Sequence, residues 1–517
     1  MNGAQSLIRT LVDCGVEVCF ANPGTSEMHF VAALDSVPEM RGVPALFEGV
    51  ATGAADGYAR IAGKPAATLL HLGPGLGNGL ANLHNARRAA APIVNVVGDH
   101  ATYHAQYDAP LESDIDSLTG WLDGWTRRSG HPKDVGADAA AAVAAAQDAP
   151  GRIATLVLPA DVSWGEGGET CAPIPPRVPH AVDSTTVQAI ADVLRSGEPV
   201  ALLIGGDACR AAGLRAASRI AEATGAKAFT ETFPARIERG AGLPHVERLG
   251  YLAEQARYQL DGVRHLIVAG AKAPVSFFAY PGMPSELAPD GAQVHMLAAP
   301  GQHVAAALGE VAALVAADTE PVVQQAVRPD LPSGPLSPQN WVDVIGALLP
   351  EDAIVVDETN TSGVLLPAGT AGAPRHDVLT LTGGAIGFGM PVAVGAAIAA
   401  PQRPVINLEA DGSAMYTISA LWTQARENLD VTTVVLNNNA YAILRMELQR
   451  VGASGDGPRA KNLLDLGRPD LDFVKIAEGM GVPATRATTA EELAQQFRHA
   501  VAEPGPHLID AAVPPLV

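Results

Sequence analysis

The sequence predicts an α/β protein of three doubly wound domains with parallel sheets, on three observations. At 517 residues the chain is too long for one core. Short apolar runs alternate with helical patterns along most of it, the pattern of strands and crossover helices in a parallel sheet. Two Gly/Pro-rich stretches interrupt the alternation, Gly165 to Pro179 and Arg328 to Pro338, and set expected blocks at 1–165, 184–327 and 339–517.

In the first block the strands are expected at Val16 to Ala21, Val43 to Phe47, Ala66 to Leu70 and Ile93 to Val97, and an alanine-rich surface helix at Ala137 to Ala146. The second block offers strands at Val200 to Ile204 and Leu266 to Ala269 around a helix from Arg210 to Ala223. The third carries strands at Ile354 to Val356, Pro404 to Leu408 and Val431 to Leu436; between the last two, Ile418, Leu421, Trp422, Ala425 and Leu429 form the apolar face of a helix.

The formal net charge of −21 disfavours nucleic acid and anionic membranes as partners. No run approaches the roughly 18 apolar residues of a spanning helix, and the first residues lack the features of a secretory signal. A cytoplasmic protein acting on small molecules is expected. The four cysteines (Cys14, Cys19, Cys171, Cys209) form no Cys-x-x-Cys pair and read as buried, inert thiols.

Parallel strands present their carboxyl ends along one edge, where ligands bind. The first strand exits into Asn22-Pro23-Gly24-Thr25, the second into Glu48 at the head of a helix, and the third into His71 followed by the series Gly73-Pro74-Gly75-Leu76-Gly77-Asn78-Gly79. Thr25, Glu48 and His71 should therefore converge. Each also has a plain structural role open to it: a cap for Thr25, a helix-dipole carboxylate for Glu48, a core residue for His71. The glycine series is not a dinucleotide fingerprint, because Asn78 stands where its last glycine should fall.

In the third block Asp411-Gly412-Ser413 forms a turn after one strand, and Asn437-Asn438 ends the next. A βαβ unit brings Asp411 and Asn438 to one edge with hard oxygen donors forward, as Mg²⁺ prefers, while Gly412 and Ser413 can offer donors to a phosphate. A surface turn beside an Asn-rich loop is the alternative. The loop Glu358-Thr359-Asn360-Thr361-Ser362 groups short donors suited to an anion, or to an ordinary polar turn.

Asp411-Gly412-Ser413 with Asn437-Asn438 resembles the diphosphate and metal motif of thiamine-diphosphate enzymes, with Ala410 where that motif has its first glycine. Asn22-Pro23-Gly24-Thr25 and Glu48 leading Gly53-Ala54-Ala55-Asp56-Gly57-Tyr58-Ala59-Arg60 resemble the pyrimidine-binding domain of the same family. The resemblance covers nearly the whole chain and points to the group of acetolactate synthase, benzoylformate decarboxylase and pyruvate oxidase, built as pyrimidine-binding, central and diphosphate-binding domains.

The resemblance implies that Glu48 bonds the aminopyrimidine ring, Gly384 accepts from its amino group and Ile386 wedges the cofactor into its bent form. It gives Asn360, Thr361, Gly412, Ser413 and Tyr441 to the diphosphate, and Asp411, Asn438 and the Ala440 carbonyl to Mg²⁺. It further implies decarboxylation or carboligation of a small 2-oxo acid, in a homodimer or dimer of dimers whose pyrimidine-binding and diphosphate-binding domains meet across subunits. Thr25 and His71 match a Ser and a His of benzoylformate decarboxylase, and Tyr416 to Thr423 resembles its sequence closely. The histidine of its central domain has no match in Gly270 to Gly282, where Phe277, Phe278 and Tyr280 stand instead.

Asp108-Ala109-Pro110-Leu111-Glu112 and Gly270 to Phe278 lack features of true acetolactate synthases and argue against bound FAD; acetolactate synthase large-subunit activity is kept as the alternative. Glu447 matches a pocket-lining position, where a carboxylate disfavours a large apolar substituent. A regulatory paralogue without turnover is a further alternative, against which the intact Glu48 argues. The central block is expected to bind an adenine nucleotide or nothing.

Overall fold

The computed structural model describes residues 1–122, 124–453, 455 and 457–515, so the last two residues of the third block lie outside it. The first block supplies β1 (Val18–Asn22), β2 (Arg41–Pro44), β3 (Ala66–His71), β4 (Ile93–Asp99), β5 (Trp125–Arg128) and β6 (Ile153–Pro159). They form one wholly parallel sheet in the order β2-β1-β3-β4-β6-β5.

The next strands are β7 (Val200–Ile204), β8 (Lys227–Thr230), β9 (Arg236–Arg239), β10 (Glu247–Arg248), β11 (His265–Ala269) and β12 (Gln293–Ala298). Five of them make a second parallel sheet, β10-β8-β7-β11-β12. The third sheet is built from β13 (Ile354–Glu358), β14 (His376–Thr380), β15 (Val405–Ala410), β16 (Val431–Asn437), β17 (Ala484–Ala487) and β18 (His507–Ala512). Its order is β17-β18-β16-β15-β13-β14-β9, parallel except where β9 pairs antiparallel with β14.

Counted from its own first strand, the third sheet read from β14 runs 2-1-3-4-6-5, the order of the first sheet. Both therefore have a topological switch between their first and third strands, where a crevice opens at the carboxyl ends. Thr25 follows β1 and His71 ends β3; Asn360 and Asp411 follow β13 and β15.

The helices after the second strands correspond as well. Helix α1 (Glu48–Ala62) follows β2, α2 (Leu72–Arg88) follows β3, and α3 (Gly389–Ala399) follows β14. Helices α1 and α3 pack closely against each other in one continuous core. A Cβ on Gly57 would fall 2.1 Å from Val392 O, and one on Gly395 1.8 Å from Ala54 O, so only glycine permits this approach.

A buried ion pair locks the junction. Arg60 meets Asp56 at 2.6 Å, donates to Thr380 O at 2.8 Å and Ala235 O at 3.2 Å, and lies 4.9 Å over the Phe388 ring. Its fork joins α1, β14 and the turn before β9, and satisfying so many donors is what makes a buried guanidinium tolerable.

Three local expectations are corrected. The alanine-rich segment is a helix, Val135–Gln147, but a largely buried one: small side chains let it pack tightly onto the sheet instead of lying at the surface. Asp411-Gly412-Ser413, expected as a turn, is a one-turn helix, and the glycine series, for which no element was expected, opens α2. Cys19 and Cys209 are buried, and burial pushes the Cys19 thiol up to about 12, whereas Cys14 and Cys171 are half-buried. Among the described residues no helix is long and apolar enough to cross a membrane.

Candidate active site

At the first crevice Glu48 opens α1, 9% exposed, and accepts a hydrogen bond from Asn78 Nδ2 at 3.0 Å through Oε2. A Cβ on Gly75 would stand 3.1 Å from Glu48 Oε1 and 3.4 Å from His71 Cβ, so the two side chains flank the same bare backbone. His71 Nδ1 lies 2.8 Å from Glu27 Oε2 and 3.3 Å from Ser26 Oγ. Glu27 Oε2 also accepts from Gly24 N at 2.7 Å, while its Oε1 is buried without a partner. The expected Glu48 and His71 thus come together. Thr25 opens the adjoining turn but is exposed, and the hydroxyl that reaches His71 is that of Ser26.

At the third sheet's crevice the partners are mainly backbone. Asp411 begins the one-turn helix α4 (Asp411–Ala414); its Oδ1 accepts from Gly412 N at 2.7 Å and its Oδ2 from Asn438 N at 3.1 Å. Burial pushes the Asp411 carboxyl up, against the lowering pull of the amides of Gly412, Asn439, Asn438 and Ala440. Asn438 Oδ1 accepts from Ala440 N at 3.0 Å, and Asn360 Nδ2 donates to Ser413 Oγ at 2.9 Å. Thr361 and Ser362 share the 3-10 turn Asn360–Gly363, and Asn438 Nδ2 reaches Ser362 Oγ at 3.5 Å. A Cβ on Gly412 would strike the Tyr441 ring at 2.5 Å, so Tyr441 lies directly on the opening turn of α4.

The Asp411 carboxylate and the Asn438 amide oxygen thus stand beside the Ala440 backbone, and hard oxygens of this kind are what Mg²⁺ takes together with phosphate and water. Among the described residues no three His, Cys, Asp or Glu side chains cluster for a metal.

Between the crevices runs the loop before α3. Gly384 has φ +73°, a left-handed conformation, and Ile386 packs on the shared core. Asn82 of α2 donates both to Gly49 O at 2.9 Å and to Gly387 O at 3.2 Å, joining the Glu48 end of α1 to this loop. Glu358, fully buried, accepts from Gly387 N at 2.8 Å and from Gly389 N. Burial pushes Glu358 up to about 7, and burial together with the Glu358 charge pushes Glu409 well above the carboxylate range. Glu447 lies on α6 (Ala442–Arg450), which Tyr441 caps after the helix α5 (Ala420–Arg426), and its Oε1 is 3.8 Å from Arg450 Nε.

The sequence reading gave no role of their own to Ser26, Glu27, Asn78, Asn82, Glu358 and Glu409. A signal existed for Glu27, a glutamate three residues past Gly24 at a turn opening. For the others the partner lies far away in sequence and no local pattern marks it.

Two family models match the chain: thiamine pyrophosphate enzyme, N-terminal TPP binding domain over 1–121, and its C-terminal TPP binding domain over 368–511. A Mycobacterium tuberculosis protein provisionally named acetolactate synthase large subunit IlvX is 67% identical over 518 residues, covering 100% of both chains. The chain belongs to the thiamine-diphosphate-dependent enzyme family. Benzoylformate decarboxylase of Pseudomonas aeruginosa is 31% identical over 96% of each chain. The solved structure of a Rhodococcus jostii thiamine diphosphate-dependent 4-hydroxybenzoylformate decarboxylase superposes with a TM-score of 0.85 at 25% identity, covering 99% of both chains. This thiamine-diphosphate enzyme thus has relatives among both the decarboxylases and the acetolactate synthases, whose chemistry is lyase or transferase action on 2-oxo acids.

Proposed function

We propose that the protein is a thiamine-diphosphate- and Mg²⁺-dependent 2-oxo acid decarboxylase or carboligase of benzoylformate-decarboxylase type. The observation that carries this reading is the pair of equivalent crevices: a buried Glu48 beside His71 in one, an oxygen set around Asp411 with short donors in the other. When bound, the cofactor supplies a carbon nucleophile for the 2-oxo carbon and an electron sink for the loss of CO₂.

The chain's own part is to hold groups and move protons. Glu48 would hold a proton at the pyrimidine ring nitrogen, the Gly384 carbonyl would accept from the cofactor's amino group, and Ile386 would pack against the cofactor. Asp411, Asn438 and the Ala440 carbonyl would hold Mg²⁺, and Asn360, Thr361, Gly412, Ser413 and Tyr441 would hold the diphosphate. Thr25 and His71 serve proton transfer on the reacting side, with Glu27 fixing His71. Glu447 borders the substrate.

Exposed apolar residues lie close in sequence to both sets: Leu46 before Glu48, Val364 after Ser362, and Met415 and Tyr416 after α4. Such positions favour burial against a second copy, which supports a homodimer or dimer of dimers completing each site across subunits. The expected location is the cytoplasm. The name of the M. tuberculosis relative makes acetolactate synthase large-subunit activity the second reading.

The test is CO₂ release from a panel of 2-oxo acids with added thiamine diphosphate and Mg²⁺, comparing the protein with Glu48→Gln. Release that falls roughly 100-fold or more in the variant is expected for loss of an acid–base group. Silence across the panel, with cofactor bound, would sink the catalytic reading in favour of a regulatory paralogue.

A further inference from the structure

After β11 the chain makes an excursion closed by Ser276 N donating to Ser285 O at 2.7 Å and Leu287 N donating to Pro274 O at 3.0 Å. It carries Phe277, Phe278 and Tyr280 out of the central domain to the third. The Phe277 Cζ lies 2.8 Å from where a Cβ on Gly384 would stand, so the ring covers the bare, left-handed backbone of that loop at Gly384.

Phe277 is not alone. Its ring centroid is 5.2 Å from Tyr251, 5.9 Å from Phe233 and 5.3 Å from Phe278, all tilted or edge-to-face. Such arrays present both ring edges and faces, the geometry that receives another aromatic ring. Phe277 and Phe278 are 42% and 54% exposed, so the wall has open apolar area.

The far end of the wall is charged but internally paired. Arg450 sits 4.6 Å over the Tyr280 ring, bonds Glu254 at 2.9 Å and lies 3.8 Å from Glu447. Arg450 bonds Glu254 through its guanidinium while its Nε and Glu447 Oε1 stay without a hydrogen-bond partner, and the two carboxylates beside it disfavour a further carboxylate from a substrate.

We propose that this aromatic wall makes the enzyme select 2-oxo acids with a planar aryl substituent over small aliphatic and dicarboxylic ones, and that Phe277 is the residue that decides it. The proposal rests on reading the Gly384 loop as the cofactor's seat, and it goes beyond that reading in naming the substrate class. The sequence expectation for Glu447, a carboxylate disfavouring apolar substituents, is offset by Arg450 beside it.

The test uses the full-length protein reconstituted with thiamine diphosphate and Mg²⁺. kcat/KM is measured for benzoylformate, pyruvate and 2-oxoglutarate in the wild type, Phe277→Leu and Phe277→Ala, and binding of an arylphosphonate analogue is followed by calorimetry. The wild type should prefer benzoylformate. Phe277→Ala should lower the benzoylformate-to-pyruvate ratio by roughly tenfold or more, as expected for deleting a large apolar contact. Phe277→Leu should fall between, and cofactor affinity should be unchanged in both.

A ratio unmoved by Phe277→Ala, or a wild type that favours pyruvate or 2-oxoglutarate, overturns the proposal and leaves the family chemistry standing. If no acid is turned over, analogue binding decides: loss of binding in Phe277→Ala supports the aryl wall while the catalytic reading fails, and no binding, or binding indifferent to Phe277, overturns both.

Discussion

The first and third sheets share a strand order, yet their crevices are furnished in opposite ways. In the first, ionisable side chains hold one another: Glu27 on His71, with Asn78 on Glu48. In the third, the carboxylate of Asp411 is held by backbone amides, and around it stand neutral Asn360, Ser413 and Asn438. One edge is suited to handling protons and the other to fixing an anion and a hard cation. The same topology therefore fixes where a site opens, and the residues leaving each strand fix what it does.

The sharpest way to break this contrast is Asp411→Ala. If the third crevice fixes the metal and the first does not, the variant should lose roughly 100-fold or more in Mg²⁺-dependent thiamine-diphosphate affinity, since even outer-shell partners of metal sites are worth 10–100-fold. Glu48→Gln should leave that affinity nearly intact while removing turnover. Calorimetric titration of both variants checks it; equal loss of affinity in the two would erase the division of labour.

A smaller effect tests the one place where the two sheets differ in architecture. Beyond β14 the third sheet gains β9, while the equivalent β2 ends the first. There His376, paired in register with Arg239, is buried; its Nδ1–H donates to Pro374 O at 2.7 Å and its Nε2 has no partner. Burial pushes the imidazole down to about 4. The folded value lies below the unfolded one near 6.5, so the unfolded chain takes up the proton first. Stability from this group is complete above about pH 6.5 and declines as pH falls from there toward 4. Between pH 7 and pH 5 the wild type should lose roughly 2 kcal/mol more than His376→Asn, read from urea unfolding midpoints. Parallel pH curves for the two proteins would refute it.

What the sequence disclosed follows the same contrast. The third crevice was legible because its donors sit on two turns of one βαβ unit, so Asp411 and Asn438 could be brought together by periodicity alone. Glu48 and His71 were legible as residues leaving strands. Their holders were not: Asn78 lies in a helix that the glycine series did not announce, since glycine is a poor helix former. The shared strand order was out of reach, because order depends on which strands pair across the chain and not on local pattern. Phe277 was noticed as a substitution, but its contact with Gly384 joins two domains and exists only in the fold.

The last prediction sharpens the first crevice. Glu27 Oε2 faces His71 Nδ1 at 2.8 Å, and its Oε1 fills the space left by Gly98, where a Cβ would fall 1.6 Å away. A carboxylate there accepts only, so Nδ1 carries the proton and Nε2 is left as the basic nitrogen. In Glu27→Gln one of two costs must be met. Either the new amide donor faces Nδ1 and reverses the tautomer, or it turns toward Gly98 and is buried without a partner. Both weaken control of His71 without touching Glu48 or Asp411. kcat should therefore fall about tenfold, about 1.4 kcal/mol in barrier, with KM and thiamine-diphosphate affinity within about twofold of wild type. A variant that loses cofactor affinity in step with kcat would make Glu27 a mere prop of the fold; one with unchanged kcat would remove His71 from the proton-handling edge altogether, and with it half of the contrast between the two crevices.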